Sequence, residues 1–411
     1  MLRLPLQQVT FSNKNIMKAN NILVINSGSS SIKFAIYQTG ETLTPILSGS
    51  IENIHSSNTT FGFTNTINTK EDRINIEVDT VDEAGNYLLN WLEMQISFSS
   101  IKAVGHRLVH GRQHTGPEKI SAELLEDLKQ HCAYDPEHLP DEIKLIEICV
   151  RRYPSLLQVA CFDTAFHATM PLVAKLLPIP RRYFDAGIQR YGFHGLSYSF
   201  LMQQLQRIAG NEKVNGKIIL AHLGNGASLA AVQHGKCVDT CMGFTPTSGM
   251  IMSTRTGDLD PSVAWYLMQV EKMTADKFNH LINHESGLLG ISGTTSSMKE
   301  LIKIKDTDAH AEEAFELFCY QAKKFIGAYT AALGGLDTLV FSGGIGEHSP
   351  EVRSQICSGL LFLAIEIDEI KNKNNEAIIS STASKVTVRV MQTNEQLMIA
   401  TLVCDMSENT I

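Results

Sequence analysis

The sequence predicts an α/β protein of two domains with mixed sheets. Three observations carry that. The chain has 411 residues, more than one ordinary hydrophobic core supports. Strand and helix patterns alternate along it. One hairpin pattern also occurs twice, as "VINSGSSSIKF" from Val24 to Phe34 and as "IILAHLGNGASLAAV" from Ile218 to Val232. Asn26 matches His222, Gly28 matches Gly224 and Ile36 matches Val232, each 196 residues apart (224 − 28). In both copies a polar residue closes the first strand just before a glycine-containing turn. The repeat implies a duplicated domain with a cleft between the copies; chance similarity of two hairpins is the alternative.

The first hairpin holds three serines and a lysine at its mouth, more than a turn requires. Hydroxyls, backbone N–H groups around Gly28 and the cation of Lys33 fit a phosphate cradle, and an ordinary hairpin also fits. Period-two alternation places Ser31 and Lys33 on one face and Ile32, Phe34 and Ile36 on the other. Further on, "IKAVGHRLVHG" reads as strand then loop, and "LLQVACFDTAF" as a strand ending in polar residues. "LDTLVFSGGIGEHS" reads as a strand running into a glycine turn. Helical patterns cover Ser121 to His131 and Ala311 to Gly334, and Glu395 opens a last one.

Composition narrows the function classes. With 43% hydrophobic and 19% charged residues, the chain reads as a well-packed globular protein. A net charge of −8 without a basic block argues against nucleic acid or an anionic membrane as partner. Eight cysteines are scattered with no CxxC pair; Cys237 and Cys241 read as sheet or turn residues, and a reduced, cytoplasmic setting fits. No apolar run reaches membrane-spanning length. The arm "MLRLPLQQVTFSNKNI" lacks the apolar core and cleavage site of a signal peptide. Met17 is an alternative start, and a targeting role for the arm is a further reading.

No standard phosphate loop is present. "GNEKVNGKI" has one residue too many for a Walker A loop and ends in Ile, and "GGIGEHS" lacks the last glycine of a dinucleotide fingerprint. A nucleotide would be held by the turns at Gly28, at Gly224 with Gly226, and at Gly343 with Gly344. Arg107 follows a strand, with His106 and His110 beside it, and suits a carboxylate or phosphate; a surface ion pair is the alternative. Asp163 ends an apolar strand and points to a cleft carboxylate or a helix cap. His194 lies between Gly192 and Gly195. Arg255, Asp258 and Asp260 share a loop dense in turn residues. Glu395 is a helix-start carboxylate or a metal ligand. Together these residues fit phosphoryl transfer to a small anion, in which catalysis is mostly positioning and cationic stabilisation and Mg²⁺ bridges the donor phosphates with few protein ligands.

The ordered set "LVINSGSSSIKF", "GHRLVHG", "FDTAFHATMP", "RYGFHG", "AHLGNGAS", "MGFTPTSG…TRTGDLDP", "SGGIGEHS" and "TNEQL" resembles the acetate kinases from about Asn21 to the C-terminus. The resemblance implies duplicated ribonuclease-H-like domains of the actin-like ATPase kind with a central cleft. It implies an N-terminal domain over 1–165, a C-terminal nucleotide-binding and dimerisation domain over 166–394, and a helix over 395–411 packing back on the first. It further implies a cytoplasmic homodimer that uses ATP and Mg²⁺ or Mn²⁺ to phosphorylate acetate or another short-chain carboxylate.

Carried over by motif, Asn26 and Glu395 resemble the metal-site residues, and Ser29, Ser31 and Lys33 phosphate contacts. Arg107 resembles the arginine that grips the acyl carboxylate, and Asp163 the family's acid/base residue. Acetate is already ionised at pH 7, so Asp163 is expected to orient groups or organise Mg²⁺. His194 and Arg255 resemble the transition-state stabilisers. His222, Leu223, Gly224, Asn225 and Gly226 resemble the second phosphate loop. Gly344, Ile345, Gly346, Glu347 and His348 resemble part of the adenosine site. Val109, Phe193 and Pro246 match the lining of the acyl pocket.

The chain departs from the family pattern at the base and ribose end. Ser297, Met298 and Lys299 stand where Asp-Phe-Arg is usual, His348 replaces an asparagine, and Ser253 replaces a glycine. "CAYDPEHLP" also differs from the familiar "APLHNP". An ammonium does not substitute for a stacked or bidentate guanidinium, so the donor is the open question. The alternatives are a propionate or butyrate kinase, a kinase using pyrophosphate or a non-adenine nucleotide, and a non-catalytic actin-like nucleotide sensor. Retention of Arg107, Asp163, His194 and Arg255 argues against the sensor.

Overall fold

Two β-sheets of related strand order organise this computed structural model, which describes residues 20–28, 30–54, 56, 58–66, 70–95 and 100–408. Ser29, Met17 and the arm before it lie outside the described residues. The chain divides into two units, Met1–Ala165 with Asn394–Ile411, and Phe166–Thr393.

The first unit contains β1 (Asn21–Gly28), β2 (Ser31–Gln38), β3 (Thr44–Glu52), β4 (Thr60–Asn65), β5 (Lys70–Asn75), β6 (Ile101–Leu108), β7 (Glu118–Lys119) and β8 (Leu157–Phe162). Their order in the sheet is β5-β4-β3-β2-β1-β6-β8-β7. From β1 to β5 the strands form an antiparallel meander, while β1, β6 and β8 run parallel. The second unit contains β9 (Lys217–Leu223), β10 (Ala227–Gln233), β11 (Lys236–Thr240), β12 (Thr338–Ser342) and β13 (Thr387–Val390), in the order β11-β10-β9-β12-β13. Here too two antiparallel pairings precede two parallel ones. The run β3-β2-β1-β6-β8 therefore recurs strand for strand, as a duplicated ribonuclease-H-like fold requires.

Local chemistry accounts for the element ends. The helix Ala122–Gln130 starts where Ser121 accepts a hydrogen bond from Leu124 N and stops at His131, as its periodicity predicts. The helix Ala309–Leu333 begins two residues earlier than its apolar pattern, because Asp308 caps it by accepting from His310 N and Ala311 N. It ends at Gly334, whose φ of 67° suits a residue without a Cβ. The glycine run after β12 differs from expectation: a short helix, Gly343–His348, replaces an open turn. Glu347 Oε1 reaches back to accept from Gly343 N at 2.9 Å, satisfying a helix-start donor.

In the first unit the apolar face of β2 packs with Phe34, Phe61 and Trp91 in one core. The C-terminal helix Glu395–Glu408 packs on β1 and β6. Gly105 makes that approach possible, since a Cβ there would lie 2.5 Å from Ile399 Cγ2 and 2.7 Å from Val403 Cγ2. Gly105→Val is expected to push the helix outward and cost about 1–3 kcal/mol of stability. Urea denaturation checks this; an unchanged midpoint would show that the helix packing tolerates the added side chain.

Candidate active site

In the first unit, strand register gathers the polar residues. Asn26 pairs with Lys33, and Gly28 with Ser31, and cross-strand partners share a sheet face. Ile32, Phe34 and Ile36 are buried, while Lys33 is exposed and Ser31 half-buried, as the alternation predicts. Asn26 Nδ2 donates to Glu395 Oε2 at 3.1 Å. The parallel pairing of β6 with β8 sets Leu108 against Phe162, which brings Arg107 close to Asp163 one residue further on. Arg107 donates to Asp163 Oδ2 from Nε at 3.1 Å and from Nη2 at 2.6 Å. Its Nη1 donates to Ser27 O at 3.2 Å and Asn26 Oδ1 at 3.4 Å. With side-chain exposures of 14% and 0%, this is an internal pair and not a surface ion pair. Burial works against the guanidinium's charge, but Asp163, Glu395 and Glu142 outweigh it and raise its pKa.

Asn26 and Glu395 offer one amide and one carboxylate side by side. Among the described residues no group of three or more His, Cys, Asp or Glu side chains could hold a metal alone. Mg²⁺ keeps several waters and binds through one or two protein groups plus substrate phosphates, so this sparse oxygen pair fits it.

In the second unit the turn between β9 and β10 is closed by Gly224 N donating to Gly226 O at 3.0 Å. His222 pairs with Ser228 across the hairpin. A Cβ on Gly226 would lie 3.0 Å from His194 Nε2 and 4.0 Å from Arg255 Nη1. A Cβ on Gly224 would lie 3.7 Å from His222 Nε2 and 3.9 Å from Gly344 N. Two imidazoles, a guanidinium and two glycine turns therefore converge on one short stretch of backbone. The His194 and His222 rings stack, centroids 4.4 Å apart. His194 precedes the helix Gly195–Val214 with a φ of 59°, a left-handed conformation that is strained for a residue with a Cβ. Arg255 Nη1 donates to Pro246 O at 3.3 Å, and Ser253 N donates to Asn225 O at 3.1 Å, joining the arginine loop to the turn.

Val109, Phe193 and Pro246 are buried. Val109 N donates to Glu142 Oε2 at 3.0 Å, and His167 Nε2 lies 2.9 Å from Phe193 O. Ser297 caps the helix Met298–Ile304, Met298 is in the core and Lys299 is exposed. Leu223 is buried in β9, and Ile345 and Gly346 lie in the short helix after β12, which ends with His348 exposed. Asp258 Oδ1 accepts from Gly249 N, and Asp260 caps the helix Pro261–Val270, so both serve the loop's own architecture. Cys237 lies in β11 and Cys241 just after it, both free thiols.

Several contributors escape a reading by motif. Glu142 lies on the buried stripe of the helix Leu139–Arg152 with Leu139, Ile143 and Ile146; burial raises its carboxyl well above the ordinary range, with Arg107 opposing. An acidic residue at core spacing was the available signal. Arg353 is fully buried and donates to Gly346 O at 2.8 Å and Glu347 O at 3.1 Å, clamping the end of the short helix. Glu347 Oε1 also accepts from Thr393 N at 3.2 Å.

His106 and His167 are internal, and burial lowers each pKa from 6.5 to about 4. Both are neutral in the folded chain at pH 7. Between pH 6.5 and about 4 the unfolded chain binds protons that the folded chain refuses. Their stability contribution is therefore present above pH 6.5 and lost as pH falls toward 4, by about 3 kcal/mol per histidine at full extent. Urea midpoints measured from pH 7 to 5 should fall, and less steeply in His106→Gln. Identical slopes in the two proteins would remove His106 from the acid sensitivity.

A family model described as the acetokinase family matches residues 21–401. The chain is 40% identical over 387 residues to an acetate kinase of Rhodopseudomonas palustris (strain TIE-1), covering 92% of this chain and 96% of that one. It is 41% identical over 392 residues to an acetate kinase of Thermoanaerobacterium thermosaccharolyticum, covering 92% and 97%. Among solved structures, Porphyromonas gingivalis acetate kinase superposes with a TM-score of 0.85 at 34% identity, covering 95% of this chain and all of that one. A propionate kinase from Francisella tularensis subsp. tularensis superposes with a TM-score of 0.88 at 37% identity, covering 94% and 99%. The internal repeat, the two residue sets and these likenesses agree: the chain belongs to the acetokinase family.

Proposed function

We propose that the chain catalyses reversible, in-line transfer of the γ-phosphoryl group of ATP to acetate, giving acetyl phosphate and ADP. Membership of the acetokinase family makes it a phosphotransferase with a carboxyl group as acceptor. The observation that supports the reading most is the convergence of His194 Nε2 and Arg255 Nη1 on the Gly224–Gly226 turn. A carboxylate oxygen of acetate attacks the γ-phosphorus, and the bond to the bridging oxygen breaks with its electron pair leaving on ADP. Acetate is ionised at neutral pH, so no base is needed. Arg107 binds its carboxylate and Asp163 holds the guanidinium in place. His194 and Arg255 meet the charge that develops on the transferring group's oxygens. The backbone from His222 to Gly226, and separately Ser31 and Lys33, are assigned to the donor phosphates; Ser29, outside the described residues, is assigned with them by motif. Asn26 and Glu395 would hold Mg²⁺, which would supply neutralisation of the phosphate charge. Mn²⁺ has the same preference for oxygen and is the alternative ion.

Val109, Phe193 and Pro246 are assigned to the acyl group. Because a methylene is worth only about 1–3 kcal/mol in such a pocket, propionate is the second reading, favoured by the likeness to the Francisella propionate kinase. For the nucleotide, Gly344, Gly346 and His348 are assigned to the adenosine end. Lys299 is the member of the Ser297–Met298–Lys299 trio with an exposed charge to offer. A homodimer is supported by the helix Pro261–Val270, which buries none of its side chains and leaves Trp265 66% exposed; an apolar face of this kind fits a second copy of the chain. Among the described residues no helix is long and apolar enough to cross a membrane.

Acetyl-hydroxamate formation from acetate, Mg-ATP and hydroxylamine tests the reaction. Acetate-dependent product supports it. No product from folded protein, across acetate and propionate with ATP, GTP and pyrophosphate, would overturn it in favour of a nucleotide sensor.

A further inference from the structure

Behind His194 lies a buried hydroxyl relay that the proposed reaction does not use directly. Ser228 Oγ is 2.8 Å from His194 Nδ1, and the Tyr198 hydroxyl is hydrogen-bonded to the same Oγ. Both Ser228 and Tyr198 are fully buried. Burial raises the Tyr198 pKa well above its ordinary value, with the hydrogen bond to Ser228 and the His222 backbone opposing. The phenol therefore keeps its hydrogen at any physiological pH. Its hydroxyl hydrogen-bonds Ser228 Oγ, where either oxygen can donate; a buried phenol hydrogen with no acceptor is costly, so Tyr198 is assigned the donor's place. A serine hydroxyl has one hydrogen to give. With Ser228 accepting from Tyr198, that hydrogen is directed at His194 Nδ1.

We infer that Tyr198 and Ser228 are positioning residues that hold His194 as the tautomer protonated on Nε2, the nitrogen that faces Gly226. The inference rests on the phosphoryl-transfer role given to His194, which needs a donor hydrogen at Nε2 in the neutral imidazole. A ring nitrogen's role is set by the bond its partner nitrogen makes, and the relay sets it from inside the fold. The opposite arrangement, Nδ1 donating to Ser228, would leave Nε2 a lone pair facing the anionic group it is meant to stabilise. His222 carries a parallel device, its Nδ1 lying 2.8 Å from Ser197 Oγ.

The test combines spectroscopy with kinetics. In wild-type protein labelled with ¹⁵N-histidine, with His194 assigned by its loss in His194→Asn, Nδ1 is expected to show the shift of an unprotonated nitrogen and Nε2 that of a protonated one. Ser228→Ala should drive the ring toward the other tautomer or a mixture. Its kcat should fall about tenfold, a change of about 1.4 kcal/mol in barrier, with KM for acetate and ATP within twofold. Tyr198→Phe should give a smaller change of the same kind and serves if Ser228→Ala does not fold. A wild-type His194 protonated on Nδ1 overturns the inference, as does a folded Ser228→Ala with unchanged tautomer and kcat. Because the wild-type spectrum needs no turnover, the relay stands or falls separately from the reaction. Normal turnover in His194→Ala would sink the catalytic reading alone.

Discussion

Arg255→Ala is expected to lower kcat by roughly 10²-fold, as loss of one preorganised transition-state donor does, with KM for acetate and ATP little changed. The guanidinium donates from Nη1 to Pro246 O at 3.3 Å, and thermal unfolding of the variant separates a loss of turnover from a loss of fold. His194→Ala should act in the same direction by at least tenfold, or about 1.4 kcal/mol. If both side chains meet charge on one phosphoryl group, the double variant should lose less than the product of the single losses, since groups acting as a unit are not additive. Turnover within twofold of wild type in either single variant would take that residue out of the mechanism. A loss confined to KM would make it a ground-state binding group.

The second large effect belongs to Asp163. Its carboxylate is fully buried and takes two hydrogen bonds from Arg107. Asp163→Ala leaves a nearly buried guanidinium without its main counter-charge, which costs about 3–5 kcal/mol when an internal pair is broken from one side. Turnover should be lost as well, because Arg107 would no longer be aimed. Asp163→Asn keeps the shape and an accepting oxygen, so it should recover part of the stability while turnover stays low. Thermal unfolding with acetyl-hydroxamate assays on both variants separates the outcomes. A folded Asp163→Asn with full turnover would show that the carboxylate's charge is dispensable and that Arg107 is held by Ser27 O and Asn26 alone.

The legible parts of the site share a local cause. Asn26, Arg107 and His222 each lie within the last three residues of a strand whose apolar run announces it, Asp163 lies just past one, and Glu395 opens a helix. A strand that terminates in a polar side chain advertises both its boundary and a site. The duplicated hairpin was legible for the same reason, down to the matched Asn26 and His222. What slipped was its second half: the first turn joins Gly28 to Ser31, and the second joins Leu223 to Ala227. A constant offset consequently misplaces the returning strand by one residue, and one residue changes the face. Glu142, Ser228 and Tyr198 were not legible as site residues, because each belongs to a buried stripe or strand where core packing is the ordinary reading.

From the sequence alone followed an α/β fold built on a repeated hairpin, the extent of the Ser121–His131 helix, and the residue types near the strand ends. Those depend on neighbours within a few positions: alternation, capping and turn chemistry. Only the tertiary structure decided that Glu395 meets Asn26, that one oxygen of Asp163 takes Arg107, that His194 and Arg255 meet at Gly226, and which hydroxyl stands behind His194. These pairings join residues tens to hundreds of positions apart. They are set by sheet register and by close approaches such as that at Gly105, where the absence of a single Cβ lets the C-terminal helix reach the sheet.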